Sequence, residues 1–124
     1  MKRARTLGES FFYAISGILY AFRTQRNIKI HFMTALLVII LSYLLKLDVM
    51  ELLAVSITIA LVLAAEMINT AIETVVDMYT QEYHPLAAAA KNVAAGAVLI
   101  SATNAVVVGY LIFYKKIVML LSFK

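Results

Sequence analysis

Three long apolar runs, each bounded by charged or turn-forming residues, dominate the pattern of hydrophobic and polar positions along the chain. The first run carries one charge, Lys46, close to its end, where the amine can reach the membrane surface. Asp48 and Glu51 then form the Asp-x-x-Glu pattern of a capped helix start. Pro85 fits the first turn of a later helix, so a loop is expected over residues 80–84. The pattern predicts three membrane-spanning helices, over residues 31–47, 52–79 and 87–114.

Residues 1–29 have a different pattern, in which basic residues are mixed with an apolar set at helical spacing. The apolar positions that trace one helical face are Leu7, Phe11, Ile15, Ile18 and Phe22. Such a helix is suited to lie in the membrane interface rather than to cross the bilayer. A cleavable signal peptide is the alternative for a basic start followed by a mildly apolar stretch. Glu9 interrupts that stretch and three more basic residues follow it, which disfavours cleavage.

Composition narrows the class of protein. The chain has 124 residues, of which 64% are hydrophobic and 15% are charged. Soluble domains typically have about 45–50% apolar and about 25% charged residues, so a water-soluble globule is excluded. The absence of cysteine excludes a disulfide scaffold and a thiolate metal site. We therefore expect one all-α integral membrane domain over residues 1–124.

The net charge of +4 predicts orientation rather than nucleic-acid binding, because the basic residues flank the apolar runs. Seven of them fall on one predicted side of the membrane: Lys2, Arg3, Arg5, Arg23, Arg26, Lys29 and Lys91. Four fall on the other side: Lys46, Lys115, Lys116 and Lys124. The positive-inside rule then places the amino terminus and the loop before Pro85 in the cytoplasm, and the carboxyl terminus outside.

A polar stripe marks the second spanning helix, which continues without Gly or Pro through residue 79 and is expected to project beyond the hydrocarbon. At about 100° per residue, five polar positions fall on one face: Glu66, Asn69, Thr70, Glu73 and Asp77. One interpretation is structural, with the upper acids solvated and Glu66 paired with a cation such as Lys91. The other is chemical, with Glu73 and Asp77 as oxygen ligands for divalent cations and Glu66 as a proton acceptor. A metal on the aqueous side and a base on the lipid side suit phosphoryl transfer to a lipid alcohol.

The residues from Glu66 to Asp77, read with the loop residues and Lys91, closely resemble the signature of the prokaryotic diacylglycerol kinase family, which includes undecaprenol kinases of Gram-positive bacteria. The resemblance covers nearly the whole chain. It implies a homotrimer in the bacterial plasma membrane, with composite cytoplasmic sites that transfer the γ-phosphate of MgATP to a membrane lipid hydroxyl. The stretches RNIKIHF and YHPLAAAAKN are more similar to the Gram-positive branch, which favours undecaprenol over diacylglycerol as the lipid substrate.

The resemblance also implies roles for individual residues. Glu66 matches the catalytic base and Asn69 a residue that supports it, while Glu73 matches the Mg²⁺-binding carboxylate with Asp77 nearby. The positions at which the family contacts ATP are Tyr13, Glu82, Tyr83, His84 and Lys91. His31, at the start of the first span, is interpreted as an interfacial residue rather than a ligand.

Two positions depart from the family pattern. Gln25 stands where diacylglycerol kinases carry a second metal-binding glutamate, and Asn92 stands where an aspartate is common. An amide oxygen can still bind Mg²⁺, but it brings no charge. An inactive or regulatory relative is therefore one alternative. A small proton-coupled transporter, with Glu66 as the proton carrier, and a non-catalytic membrane subunit are the others.

Overall fold

The computed structural model describes residues 6–122, and within that part of the chain every regular element is an α-helix. Lys2, Arg3, Arg5 and Lys124, which entered the charge count, lie outside the described residues. The four helices are α1 (Leu7–Thr24), α2 (Arg26–Leu44), α3 (Val49–Tyr79) and α4 (Pro85–Ser122).

The amino-terminal segment forms a shorter helix than expected. Helix α1 begins after Thr6, whose hydroxyl accepts a hydrogen bond from the Glu9 N–H at 3.2 Å. It ends before Gln25, which has an extended backbone (φ −103°, ψ 125°) and caps both α1 and α2. The expected helix over 1–29 is thus divided at this residue, and α2 begins five residues before the expected start at position 31. The placement of α1 in the membrane interface stays a prediction.

The turn between α2 and α3 is built from two helix caps. Lys46 has a left-handed backbone (φ 50°), and the N–H of Leu47 donates to the carbonyl of Ser42 at 3.1 Å. This is the Schellman arrangement that ends many helices. Asp48 then accepts hydrogen bonds from the first-turn N–H groups, and Glu51 accepts one from the Asp48 N–H at 2.8 Å. The capping box predicted from Asp48 and Glu51 is confirmed.

Helices α3 and α4 form the main pair of the fold and pack along each other. Helix α3 has 31 residues, about 46 Å at 1.5 Å per residue, which exceeds the roughly 30 Å hydrocarbon layer. Helix α4 begins at Pro85, as predicted from proline tolerance in a first turn, and continues to Ser122, well past the expected end at 114. Within that extension, Lys116 Nζ lies 2.8 Å from Glu51 Oε2, which joins α4 to the start of α3.

The described helices have the character of a membrane protein. Helices α2, α3 and α4 are each long and apolar enough to cross a bilayer. Most of their large apolar side chains are exposed on the single chain, whereas Ile28 is completely buried. Hydrocarbon or further protein must cover such a surface. Because α3 is longer than the hydrocarbon layer is thick, we expect its end with the loop at 80–84 to lie beyond that layer.

Candidate functional site

The polar stripe of α3 runs from a buried end to an exposed end. Glu66, Asn69 and Thr70 are 2%, 7% and 4% exposed, Glu73 is half-buried, and Asp77 is exposed. Because one helix carries all five residues at three- and four-residue spacing, their side chains lie on one face. The structure thus has the polar stripe that the sequence predicts, and the exposure of its side chains increases from Glu66 to Asp77.

The buried end of the stripe contains polar atoms that lack partners. Asn69 donates a hydrogen bond from Nδ2 to Glu73 Oε1 at 3.0 Å, which fixes the amide and links the two side chains. Within residues 6–122, three buried side-chain oxygens have no hydrogen-bond partner: Glu66 Oε2, Asn69 Oδ1 and Thr70 Oγ1. Buried polar atoms in native proteins are nearly always hydrogen-bonded, so unsatisfied ones point to a missing ligand, water or ion. Three of them on one helical turn mark this point as a candidate binding site.

The exposed end of the stripe is connected to α4. Lys91 Nζ lies 2.5 Å from Asp77 Oδ1, and the Gln81 side-chain amide donates to the Asp77 carbonyl at 2.5 Å. The structural interpretation of the stripe paired Glu66 with a cation such as Lys91, and the choice of Lys91 is wrong, because Lys91 pairs with Asp77 instead. Glu66 therefore keeps an unpaired oxygen, while a cation stands at the aqueous end of the stripe.

The loop that follows α3 encloses a small cavity beside this ion pair. Thr80 Oγ1 accepts a hydrogen bond from the Glu82 N–H at 3.1 Å, which shapes the loop before Pro85. The cavity has a volume of about 220 Å³. Five residues predicted from the sequence to contact nucleotide or metal line it: Asp77, Glu82, Tyr83, His84 and Lys91. A cavity with a lysine, a histidine and a tyrosine has the donors and the aromatic surface that a nucleotide needs.

Six other predicted residues do not line this cavity: Glu66, Asn69 and Glu73, which lie on the α3 stripe before Asp77, and Tyr13, Gln25 and Asn92. Tyr13 is half-exposed on α1, Gln25 forms the α1–α2 junction, and Asn92 is exposed on α4 one residue after Lys91. Among the described residues that line the cavity, none of the six is present. The cavity thus brings together Asp77, the three loop residues and Lys91, while the base and the Mg²⁺ ligand share the α3 face with Asp77.

The acidic side chains near the stripe are too few to bind a metal ion without further ligands. Among residues 6–122, no group of three or more His, Cys, Asp or Glu side chains is arranged to hold a metal ion. Mg²⁺ is often bound by only one or two carboxylates together with substrate phosphates. Glu73, held by Asn69 and close to unsatisfied oxygens, fits an ion of that kind.

One residue gains importance that sequence reasoning did not give it. His31 on α2 is half-buried and lies close enough to Glu66 for their charges to interact. It also lines an apolar cavity of about 410 Å³ between α2, α3 and α4, which includes Val62 and Gly109. The sequence contains one indication of this proximity, because the predicted topology places His31 and Glu66 at the same end of adjacent spans.

Comparison with known proteins identifies relatives over most of the chain. The family model described as prokaryotic diacylglycerol kinase matches residues 12–113. A protein named diacylglycerol kinase from Synechocystis sp. is 48% identical over 101 residues, which cover 81% of this chain and 58% of that protein. A protein named undecaprenol kinase from Bacillus subtilis is 40% identical over 109 residues, 88% of this chain and 89% of that protein. An Escherichia coli protein named diacylglycerol kinase is 30% identical over 95 residues, 77% of this chain and 78% of its own.

Proposed function

The chain belongs to the prokaryotic diacylglycerol kinase family, and on that premise we propose that it transfers the γ-phosphate of MgATP to the hydroxyl of a membrane lipid alcohol, preferably undecaprenol. One observation carries the proposal. A buried carboxylate oxygen without a partner, on Glu66, lies on the same helical face as Glu73 and the Asp77–Lys91 pair. A proton acceptor at the lipid end and charged groups at the aqueous end suit a reaction between a lipid and a nucleotide.

Glu66 acts as the general base in this proposal. Its Oε2 accepts the proton of the lipid hydroxyl as the lipid oxygen forms a bond to the γ-phosphorus, and the bond from that phosphorus to the bridging oxygen breaks to release ADP. The carboxylate is 2% exposed, so water competes little for this oxygen. General-base catalysis of this kind contributes about 10²–10⁴-fold to the rate.

Asn69 and Glu73 organise the region between base and nucleotide. The hydrogen bond from Asn69 Nδ2 to Glu73 Oε1 leaves Asn69 Oδ1 free to accept a hydrogen bond from a bound group. Glu73 would hold Mg²⁺ that arrives with ATP, and Gln25 would contribute an amide oxygen without charge. When bound, Mg²⁺ neutralises phosphate charge and favours the departure of ADP. Glu73 is half-buried, which favours a bond to an ion that is itself only partly hydrated.

The cavity beside Lys91 is proposed as the nucleotide site. Lys91 supplies a positive charge for the phosphates, and in the absence of nucleotide Asp77 holds that amine in place. Glu82, Tyr83 and His84 surround the remaining wall of the cavity. The apolar cavity next to His31 suits the hydrocarbon tail of the lipid, because its wall is formed mainly by aliphatic side chains of three helices.

The assembly and orientation follow as further parts of the proposal. We propose a homotrimer in the bacterial plasma membrane, with the amino terminus and the site in the cytoplasm and the carboxyl terminus outside. Tyr13 and Gln25, which the single chain leaves away from the Lys91 cavity, would complete the site of a neighbouring copy. Asn92 would lie at the edge of that composite site, since it follows Lys91 directly.

Two acceptors are supported by relatives with different printed names. The Bacillus subtilis relative, covered over 89% of its length, is named for undecaprenol. The Synechocystis relative is more similar in sequence and is named for diacylglycerol, which makes that lipid the second candidate. Both lipids present one hydroxyl at the interface, so the Glu66 chemistry is the same for either.

A phosphorylation assay in mixed micelles tests the function. The protein is supplied with γ-labelled ATP, Mg²⁺ and either undecaprenol or diacylglycerol, and labelled lipid is separated by chromatography. The proposal expects Mg²⁺-dependent lipid phosphate, with a higher kcat/KM for undecaprenol. A higher kcat/KM for diacylglycerol would reverse the substrate preference. No labelled product from either lipid would contradict the kinase function and leave a transporter or a non-catalytic subunit.

A further inference from the structure

A second cavity lies at the opposite end of the helices, beside the α2–α3 turn. It has a volume of about 670 Å³, and its polar lining includes none of the residues assigned to phosphoryl transfer. Its inner apolar wall shares Val55 and Ile59 with the apolar cavity beside His31. Its polar lining consists of Ser42, Tyr43, Lys46 and Ser56, and its apolar wall includes Ile39 and Ile59. The cavity therefore has polar residues at its mouth, near the end of α2, and an apolar wall that extends along the spanning helices.

Lys46, at the mouth of this cavity, has a backbone conformation that is unfavourable for lysine. Lys46 is the single non-glycine residue with positive φ among residues 6–122. It occupies the left-handed position of the Schellman cap, where its N–H donates to the Tyr43 carbonyl at 3.2 Å. Glycine or asparagine adopts this conformation with less strain. The turn thus requires the conformation but does not require a lysine, which suggests that the charge has a use of its own.

The charge of Lys46 also has no partner in the described part of the chain. The two acids that follow it in sequence are already engaged. Asp48 Oδ1 accepts from the N–H groups of the first turn of α3, and Glu51 Oε2 pairs with Lys116 at 2.8 Å. Within residues 6–122, no carboxylate pairs with Lys46 Nζ. A cation without a counter-ion at the edge of an apolar cavity favours an anionic ligand.

We propose that this cavity binds an anionic phospholipid of the leaflet that faces the α2–α3 turn. The phosphate lies at Lys46 Nζ, with hydroxyl donors available from Tyr43 and Ser56, and an acyl chain lies along Ile39 and Ile59. The match is one of charge and shape, because a phospholipid has its anion at the interface and its hydrocarbon below it. A second copy of the chain would cover the apolar wall but would leave the cation unexplained. The anion-binding mouth at Lys46 does not rest on the kinase function proposed above, because none of its polar residues lines the cavity assigned to the substrate lipid.

The experiment uses the absence of tryptophan from the chain. Leu52 lines the cavity, so Leu52→Trp introduces a single tryptophan there, whose fluorescence is excited selectively over that of the seven tyrosines. The full-length protein is placed in phosphatidylcholine vesicles that contain a fraction of either brominated phosphatidylglycerol or brominated phosphatidylcholine. The ratio of quenching by the two lipids gives the local preference for the anionic one.

Three variants are made in the Leu52→Trp protein. Lys46→Asn removes the charge but tolerates the left-handed backbone, and Lys46→Arg keeps the charge. The control, Lys115→Gln, removes a lysine at the same end of the helices that does not line the cavity.

In the Leu52→Trp protein with Lys46 intact, brominated phosphatidylglycerol is expected to quench the tryptophan more strongly than brominated phosphatidylcholine does. Lys46→Asn should lower that preference about fivefold, the factor expected for one lysine at an anionic membrane surface, whereas Lys46→Arg and Lys115→Gln should retain it. An unchanged preference in Lys46→Asn, or an equal loss in Lys115→Gln, would overturn the proposal. Absence of quenching by both lipids would also overturn it, because the cavity would then be covered by protein. Displacement of the brominated lipid by free glycerol phosphate would overturn the assignment to a lipid.

Discussion

Replacement of Glu66 by glutamine should separate catalysis from stability, because the two respond to this side chain in opposite directions. The substitution keeps the volume of the side chain and removes its charge and its ability to accept a proton. Since the carboxylate is 2% exposed and one of its oxygens has no partner, the charged form contributes unfavourably to folding. A charged residue at membrane depth costs about 2.5 kcal/mol or more on insertion scales.

Glu66→Gln should change kcat strongly and the free energy of unfolding only slightly. The loss of a general base should lower kcat by about 10²–10⁴-fold, equivalent to roughly 3–5 kcal/mol of transition-state stabilisation. The glutamine amide still leaves a buried polar group, which costs about 1–3 kcal/mol when unsatisfied. The free energy of unfolding of Glu66→Gln should therefore equal that of the parent or exceed it by about 1 kcal/mol.

The assay combines lipid phosphorylation in mixed micelles with unfolding by denaturant, both on the same purified samples. Glu51→Gln is the matched control, because it makes the same chemical change on the same helix at the end remote from the site. Glutamine can still complete the capping box, but the ion pair with Lys116 at 2.8 Å is lost. This control should lose up to about 1 kcal/mol of stability and keep its kcat. If Glu66→Gln keeps near-normal turnover, or loses turnover only in proportion to unfolding, the assignment of the base is refuted.

Three further substitutions test other parts of the structure. Lys91→Gln should raise the KM for ATP about tenfold or more, because a hydrogen bond to a charged group contributes about 1.5–3 kcal/mol, and an unchanged KM would remove Lys91 from the nucleotide site. Gln25→Glu should lower the Mg²⁺ concentration at half-maximal activity several-fold, because it adds a charged ligand, and no change in a Mg²⁺ titration would place Gln25 away from the metal. Lys46→Gly should raise the free energy of unfolding by up to about 1 kcal/mol, because glycine adopts φ near 50° without strain, and a loss of stability would contradict the interpretation of the turn.

Local signals account for what the sequence could predict. The start of α3 follows from Asp48 and Glu51, since a capping box involves residues only three apart. The start of α4 follows from Pro85, and the common face of the stripe follows from helical spacing. These features depend on residues within a few turns of one another, so the chain itself contains the information.

Features that depend on other helices could not be predicted in the same way. The break at Gln25 contains no glycine or proline, and the left-handed turn falls on a lysine. The choice of Asp77 rather than Glu66 as the partner of Lys91 depends on how α4 is positioned against α3. Helical spacing defines the faces of each helix but leaves that relative position open. The Lys116–Glu51 pair and the proximity of His31 to Glu66 belong to the same class.

The central claim is that nucleotide-bound metal docks at the upper end of the α3 stripe. The most direct measurement is paramagnetic broadening of ¹³C-labelled glutamate carboxyl signals by Mn²⁺ bound to a non-hydrolysable ATP analogue. Among the three glutamates of α3, Glu73 should broaden most and Glu66 next, whereas Glu51, about 33 Å from Glu73 along the helix, should be unaffected. Equal broadening of all three signals, or sharp Glu73 and Glu66 signals at saturating nucleotide, would contradict the claim.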